Sequence, residues 1–190
     1  PERERRLLMD ASVIGRVFWP SMLEALDPAP WLDDALAALN DREFIGREPD
    51  FDMGADVAYV FRHGSIREVA YNMLPKAERR DRHAEVARLA EAAFPGGSTS
   101  LTPILAYHWR EAGDLTRAID CYLRAGEQAD HAWAKVEAVR NYKQVLDLLP
   151  EGDNRLRTVK MKLALAQVAI DHIRFGDVAA PSRSLDSGGD

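Results

Sequence analysis

FIGREPDFDMGADVAYVFRH, residues 44–63, is where the chain changes its period. Before it, apolar residues recur every three or four positions. Within it, FIGREP (44–49) and VAYVFRH (57–63) are rich in β-branched and aromatic residues and flank the turn-forming DFDMGAD. Such runs around a turn predict a β-hairpin. Alternation along a strand puts Tyr59 and Phe61 on one face and Ala58 and Val60 on the other.

Three helical segments lead into this hairpin. RRLLMDASVIG spaces Leu7, Leu8, Ala11 and Ile14 at helical intervals and stops at Gly15. Pro20 suits the first turn of a second helix carrying Met22, Leu23 and Leu26. WLDDALAALNDREF gives a third, with Trp31, Leu32, Ala35, Leu36 and Leu39 on one face and Asp33 and Asp34 where the helix dipole favours them. Three short helices followed by a hairpin predict a winged-helix domain over residues 1–62.

Beyond the hairpin the pattern is helical. SIREVAYNML reads as a helix capped by Ser65, with Glu68 completing a capping box and Ile66, Val69, Ala70, Met73 and Leu74 as its stripe. KAERRDRHAEVARLAEAAF follows, with Ala77, Ala84, Ala87, Leu89, Ala90 and Phe94 on its apolar face. These make connecting helices over 63–95, and PGGSTS (95–100) is the clearest loop and boundary. Residues 101–175 contain an internal echo. GDLTRAIDCYLRAG and AKVEAVRNYKQVLDLLP share an A-x-x-x-Y core, Ala118/Tyr122 and Ala138/Tyr142. A small residue where two antiparallel helices cross, with an aromatic one turn on, is the packing of tetratricopeptide-like repeats. Trp109 and Gly113 before the first copy and Pro150 after the second extend the match. The 20-residue offset marks successive helices of an antiparallel α-solenoid. A last helix stacks Leu156, Val159, Met161, Leu163, Leu165, Ala166, Val168 and Ile173. The tail over 176–190 has a composition that predicts flexibility. The expected fold class is therefore mainly α: a winged helix, then a TPR-like solenoid.

Composition narrows the function. The 190 residues carry a net charge of −6. Residues 1–75 hold 8 Lys/Arg against 14 Asp/Glu, so the first part carries the whole deficit. One cysteine, Cys121, provides neither an internal disulfide nor a cysteine metal cluster, which fits a cytoplasmic setting. No apolar run reaches the roughly 18 residues of a membrane span, and the start has no signal-peptide pattern. Because that start opens inside a helix without a methionine, the chain is expected to be a piece of a longer protein.

Enzyme chemistry finds little purchase. His63, Ser65 and Glu68 sit close enough to suggest a hydrolase triad, but the capping box already uses two of them, and no G-x-S-x-G elbow accompanies them. His63, His83, His108, His131 and His172 are scattered without a metal-ligand motif; His83 and His108 are expected to pack beside aromatics or face water. Neither G-x-x-x-x-G-K-[ST] nor G-x-G-x-x-G is present, so no catalytic residue, cofactor or metal is expected. DNA binding is the serious rival, since the third helix of a winged helix often enters the major groove. Here that helix carries Asp33, Asp34 and Asp41, and the wing adds Glu48, Asp50, Asp52 and Asp56. Those carboxylates repel phosphates, so direct DNA binding is disfavoured.

The order of parts resembles a known family. ERRLLMDASVIGRVFW, ALNDREFIGRE and YVFRHGSIREVAYNMLPKAERRDRHAEVA are similar to the region after the ATPase core in large STAND-type signal-transduction NTPases. These include actinobacterial LuxR-type regulators and AAA-like ATPases associated with adenylate/guanylate cyclase domains. The matches to F-x-H-x-x-I-R-x-V-A-Y-x-x-[LI] are Phe61, His63, Ile66, Arg67, Val69, Ala70, Tyr71 and Leu74; Arg79 and His83 then match R-x-x-x-H. The likeness covers about residues 3–150 and is most specific over 57–84. It implies a non-catalytic regulatory module whose partners are an upstream ATPase or cyclase domain of the same parent chain, and a protein or inducer on the helical arm. The resemblance makes His63, Ser65, Arg67, Glu68 and Tyr71 a regulatory hinge, with His63 approaching the parent's nucleotide. Trp109, Gly113, Ala118, Tyr122, Ala138 and Tyr142 would be repeat-packing residues. The motifs of a P-loop, a cyclase and a C-terminal DNA reader are missing from the chain.

Overall fold

The computed structural model describes residues 1–51, 56–93 and 101–176, with side chains placed through His172. The tip of the hairpin turn, the loop PGGSTS, Phe94, the side chain of Ile173 and the tail beyond Gly176 lie outside them. Two compact units, Pro1–Ala118 and Ile119 onward, divide within one helix.

The first unit opens with α1 (Glu2–Ile14), β1 (Val17–Phe18), α2 (Pro20–Leu26), α3 (Leu32–Asp41), β2 (Ile45–Arg47) and β3 (Tyr59–Phe61). It continues with α4 (Gly64–Met73), α5 (Lys76–Ala93) and α6 (Thr102–Ala112). The architecture is mainly α with a small antiparallel sheet, and the hairpin sits where the change of period placed it. Ile45 pairs with Phe61, Gly46 with Val60 and Arg47 with Tyr59.

The sheet has a third strand that the sequence pattern did not reveal. β1 pairs Val17 with Val60 and Phe18 with Tyr59, giving the strand order β1-β3-β2. Two residues are too few to show alternation. What fixes them is tertiary: Phe18 is fully buried, its ring 5.4 Å from that of Phe61. Burying a phenylalanine contributes roughly 1.5–3 kcal/mol, enough to hold so short a strand. With strands on both edges of β3 and helices beneath, Ala58, Val60 and Phe61 are all buried, so the expected two-face contrast is weak.

Leu7, Ala11 and Ile14 of α1, Leu23 and Leu26 of α2, and Leu36 and Leu39 of α3 form the core with Ile45, Phe61, Leu74 and Val86. Pro20 opens α2 as expected. The Asp56 carboxylate accepts from the Ser21 hydroxyl and, at 3.5 Å, from its backbone N–H. An acidic group from the hairpin thus occupies the positive end of α2.

Two expected helix details are corrected. α4 begins at Gly64 with His63 at the N-cap position, and no side chain caps it. Ser65 is therefore inside the helix, exposed beside an equally exposed Glu68, and the capping box is absent. On α5 the buried positions are His83, Val86 and Ala87, whereas Ala77 is exposed. The inward face is set by what α6 and α1 present to it, not by alanine spacing.

The division between the units falls within α7 (Leu115–His131); α8 (Lys135–Leu148) and α9 (Leu156–Gly176) follow. Ala138, Val139, Tyr142 and Val145 of α8 are buried, as are Val159 and Ala166 of α9. Leu163 is half-buried. Met161, Leu165 and Val168, expected in the stack, instead face solvent.

Candidate functional site

The stretch expected to act as a hinge divides into an outward and an inward half. His63, Ser65 and Glu68 are exposed. Arg67 and Tyr71 turn inward: Arg67 Nε donates to the Ser12 carbonyl at 3.0 Å, tying α4 to α1. The spacing of the helix places Tyr71 one turn further along the same side.

From Tyr71 a chain of polar contacts runs through the interior. Its hydroxyl lies 2.9 Å from His83 Nε2 on α5. His83 Nδ1 lies 2.9 Å from His108 Nδ1 on α6. His108 in turn hydrogen-bonds the backbone of Ile14, at the end of α1. Both imidazoles are buried, and the Tyr107 ring meets each edge-on.

One arrangement of the protons satisfies the donors and acceptors of this chain. A carbonyl only accepts, so His108 carries a hydrogen toward Ile14, leaving its Nδ1 an acceptor. His83 must then donate from Nδ1, and its Nε2 accepts from the Tyr71 hydroxyl. The assignment has every member satisfied with both rings neutral. The acidities agree. Burial and the nearby Arg67 and Arg79 guanidinium groups bring His83 down to about 4. Burial, His83 and Arg67 bring His108 down to about 3, against the pull of Ile14. Burial pushes the Tyr71 hydroxyl up. Arg79 lies over the Tyr71 ring at 4.9 Å, with its buried Nε making no hydrogen bond.

A second buried bridge runs parallel to the first. Arg82 Nε meets Asp10 at 3.1 Å with both side chains largely shielded, and Arg82 Nη1 donates to the Leu26 carbonyl at 3.2 Å. One arginine thus joins α5 to α1 and to the end of α2. Burial raises the Asp10 carboxyl, opposed mainly by Arg82.

The outward half borders an apolar groove of about 290 Å³. Arg5 and Leu8 of α1, Phe44, and Ser65, Ile66, Val69 and Met73 of α4 are among the residues that line it. Val69 and Met73 are 61 % and 46 % exposed, unusual for side chains at helical spacing on one face. The outward side of α3 is acidic: Asp33, Asp34 and Asp41 are all exposed.

Of the residues expected to pack repeats, Trp109, Ala118, Tyr122, Ala138 and Tyr142 are buried. Gly113 ends α6 in the left-handed region (φ 84), which glycine adopts without strain. Arg80 lies against it, and its Nε donates to the Ala112 carbonyl at 3.3 Å. Trp109 Nε1 donates to Glu91 at 3.0 Å, and Arg117 stacks on its ring at 4.4 Å. In the second unit, Gly126 of α7 faces Tyr142: a Cβ there would lie 2.6 Å from the tyrosine ring. The A-x-x-x-Y pattern does not mark Gly126, although a glycine inside a helical pattern is itself a sign of close approach.

Among the described residues no group of three or more His, Cys, Asp or Glu side chains is arranged to hold a metal ion. Among them, too, no helix is long and apolar enough to cross a membrane.

No family model matches the chain, and no solved structure matches it. It is similar to an uncharacterised protein of Rhizobium meliloti (strain 1021), 28 % identical over 131 residues. That stretch is 67 % of this chain and 13 % of the relative, so the chain spans about an eighth of the relative's length.

Proposed function

We propose that this chain is a non-catalytic regulatory module of a larger STAND-type signal-transduction ATPase or cyclase-linked regulator. Its first part works as a winged helix and its later helices as a TPR-like arm that receives a protein or inducer. Partner binding on the arm is coupled through the hinge to the nucleotide state of an ATPase core elsewhere in the parent.

The observation that carries this reading is the two-sided construction of α4. Its inner side is bonded to α1, α5 and α6 through Arg67 and through Tyr71, His83 and His108. Its outer side offers His63 and the groove lined by Val69 and Met73. A rigidly braced helix with an uncovered apolar face suits a surface that another domain covers in one state and leaves in another. The order helix–strand–helix–helix–strand–strand, with sheet order β1-β3-β2, supports the winged-helix part. The buried Ala118/Tyr122 and Ala138/Tyr142 pairs support the repeat part.

The alternative, a winged helix that reads DNA, is disfavoured by the exposed Asp33, Asp34 and Asp41 on α3, the helix that would enter the groove. Two measurements test the choice. Nucleotide exchange in the parent polypeptide should change when His63 or Val69 is substituted, and labelled duplex DNA should not bind this chain at low salt. Salt-sensitive DNA binding with unaltered exchange would reverse the preference.

A further inference from the structure

We propose that the outer face of α9 is a self-association surface, on which a second copy of this chain docks its own α9 in antiparallel orientation. This inference is independent of the reading above. Met161, Leu165 and Val168 are 58 %, 64 % and 65 % exposed, and Ala164 between them is exposed as well. At about 100° per residue they form one stripe. The opposite face, with Val159 and Ala166, is already buried. A helix at a water boundary carries its apolar residues on one side only; α9 carries them on two.

The stripe is complementary to itself, which an isologous contact requires. Met161 and Val168 lie equally far from the midpoint between Ala164 and Leu165. Antiparallel pairing about that midpoint sets Met161 against the partner's Val168 and the small Ala164 against the partner's Leu165. On one flank of the stripe lie Lys160, exposed, and Asp171, half-buried. They fall on opposite sides of the midpoint, so the same pairing brings Lys160 to the partner's Asp171, offset by about two residues or ~3 Å along the axis. Both copies of this charge pair form at once. A single helix pair buries less than the roughly 800 Å² per partner of a standard interface, so the dimer is weak and concentration-dependent.

Sedimentation equilibrium of the full chain from about 10 μM to about 1 mM, the range of a weak helix pair, reads the association. The expected result is a rise from monomer to dimer mass. Leu165→Glu should abolish it, and Lys160→Glu should weaken it at least about tenfold by setting like charges opposite each other twice. Lys160→Glu combined with Asp171→Lys should restore it. Leu165 and Lys160 are exposed and Asp171 is half-buried, and circular dichroism will verify that each variant keeps its helices. A monomer at every concentration, or a dimer indifferent to Leu165→Glu, overturns the proposal. Loss by Lys160→Glu without rescue by the double exchange overturns the antiparallel pairing and the proposal with it.

Discussion

The Nδ1 atoms of His83 and His108 face each other at 2.9 Å inside the α5–α6 pair. Such a contact requires one proton between two nitrogens, so protonating both rings destroys it. Burial and the arginines already hold both acidities well below the ordinary 6.5. An unfolded chain binds those protons near pH 6.5 and the folded chain only near 4 or below, so stability falls as pH falls through that window. Above about 6.5 the contribution is fully present. Denaturant midpoints of the chain should therefore drop between pH 6.5 and 4, and the slope should flatten in a variant where both histidines are leucine. An equal slope in that variant would place the acid sensitivity elsewhere.

Tyr71→Phe removes one hydroxyl and leaves the buried His83 Nε2 without its hydrogen-bond partner. The loss should be about 1–3 kcal/mol, the cost of an unsatisfied buried polar group. Because the chain is a linked network, Tyr71→Phe and His108→Leu should cost less together than the sum of the two. Additive losses in urea titrations would mean that the three side chains act separately.

Much of the helical part was legible because apolar spacing dictates it. Leu7, Ala11 and Ile14 are buried as their intervals require, and the hairpin announced itself by a change of period. The failures share one cause: tertiary contacts override local pattern. Val17–Phe18 is a strand because β3 has an edge to fill. Ser65 does not cap α4 because the N-cap position falls two residues earlier, at His63. His83 is buried although its helix is mostly polar, since His108 and Tyr71 supply the partners a buried imidazole needs. No single-helix pattern displays a bond between residues on different helices. Met161, Leu165 and Val168 show the opposite limit, because spacing reveals an apolar face without saying what covers it.

Gly126→Ala should destabilise the second unit. The added methyl would meet the Tyr142 ring at 2.6 Å, and that ring is almost fully buried. Alanine is the better helix former by about 0.8–1.0 kcal/mol, which favours the substitution if the site is roomy. Overpacking costs about 1–3 kcal/mol, so the clash should win with a net loss of order 1 kcal/mol. Adding Tyr142→Leu should recover part of it. A raised melting temperature in Gly126→Ala alone would mean that the two helices separate easily there.

His63→Ala separates a scaffold role from a signalling role. His63 occupies the N-cap position of α4, yet no side chain caps the helix, and the imidazole is exposed. A working cap removed in this way costs about 0.5–2 kcal/mol. With no such bond to lose, the purified chain should change by well under ~1 kcal/mol, as exposed substitutions generally do. Arg67→Ala, one helical turn along, is the control: it gives up the 3.0 Å bond to the Ser12 carbonyl and should cost about 1–3 kcal/mol. If the parent has the proposed ATPase core and His63 meets it in only one nucleotide state, His63→Ala shifts the balance between states in the parent without weakening this module. Thermal melting of the chain set beside nucleotide-exchange rates of the parent makes the comparison. A large loss of stability with unchanged exchange would return His63 to the scaffold.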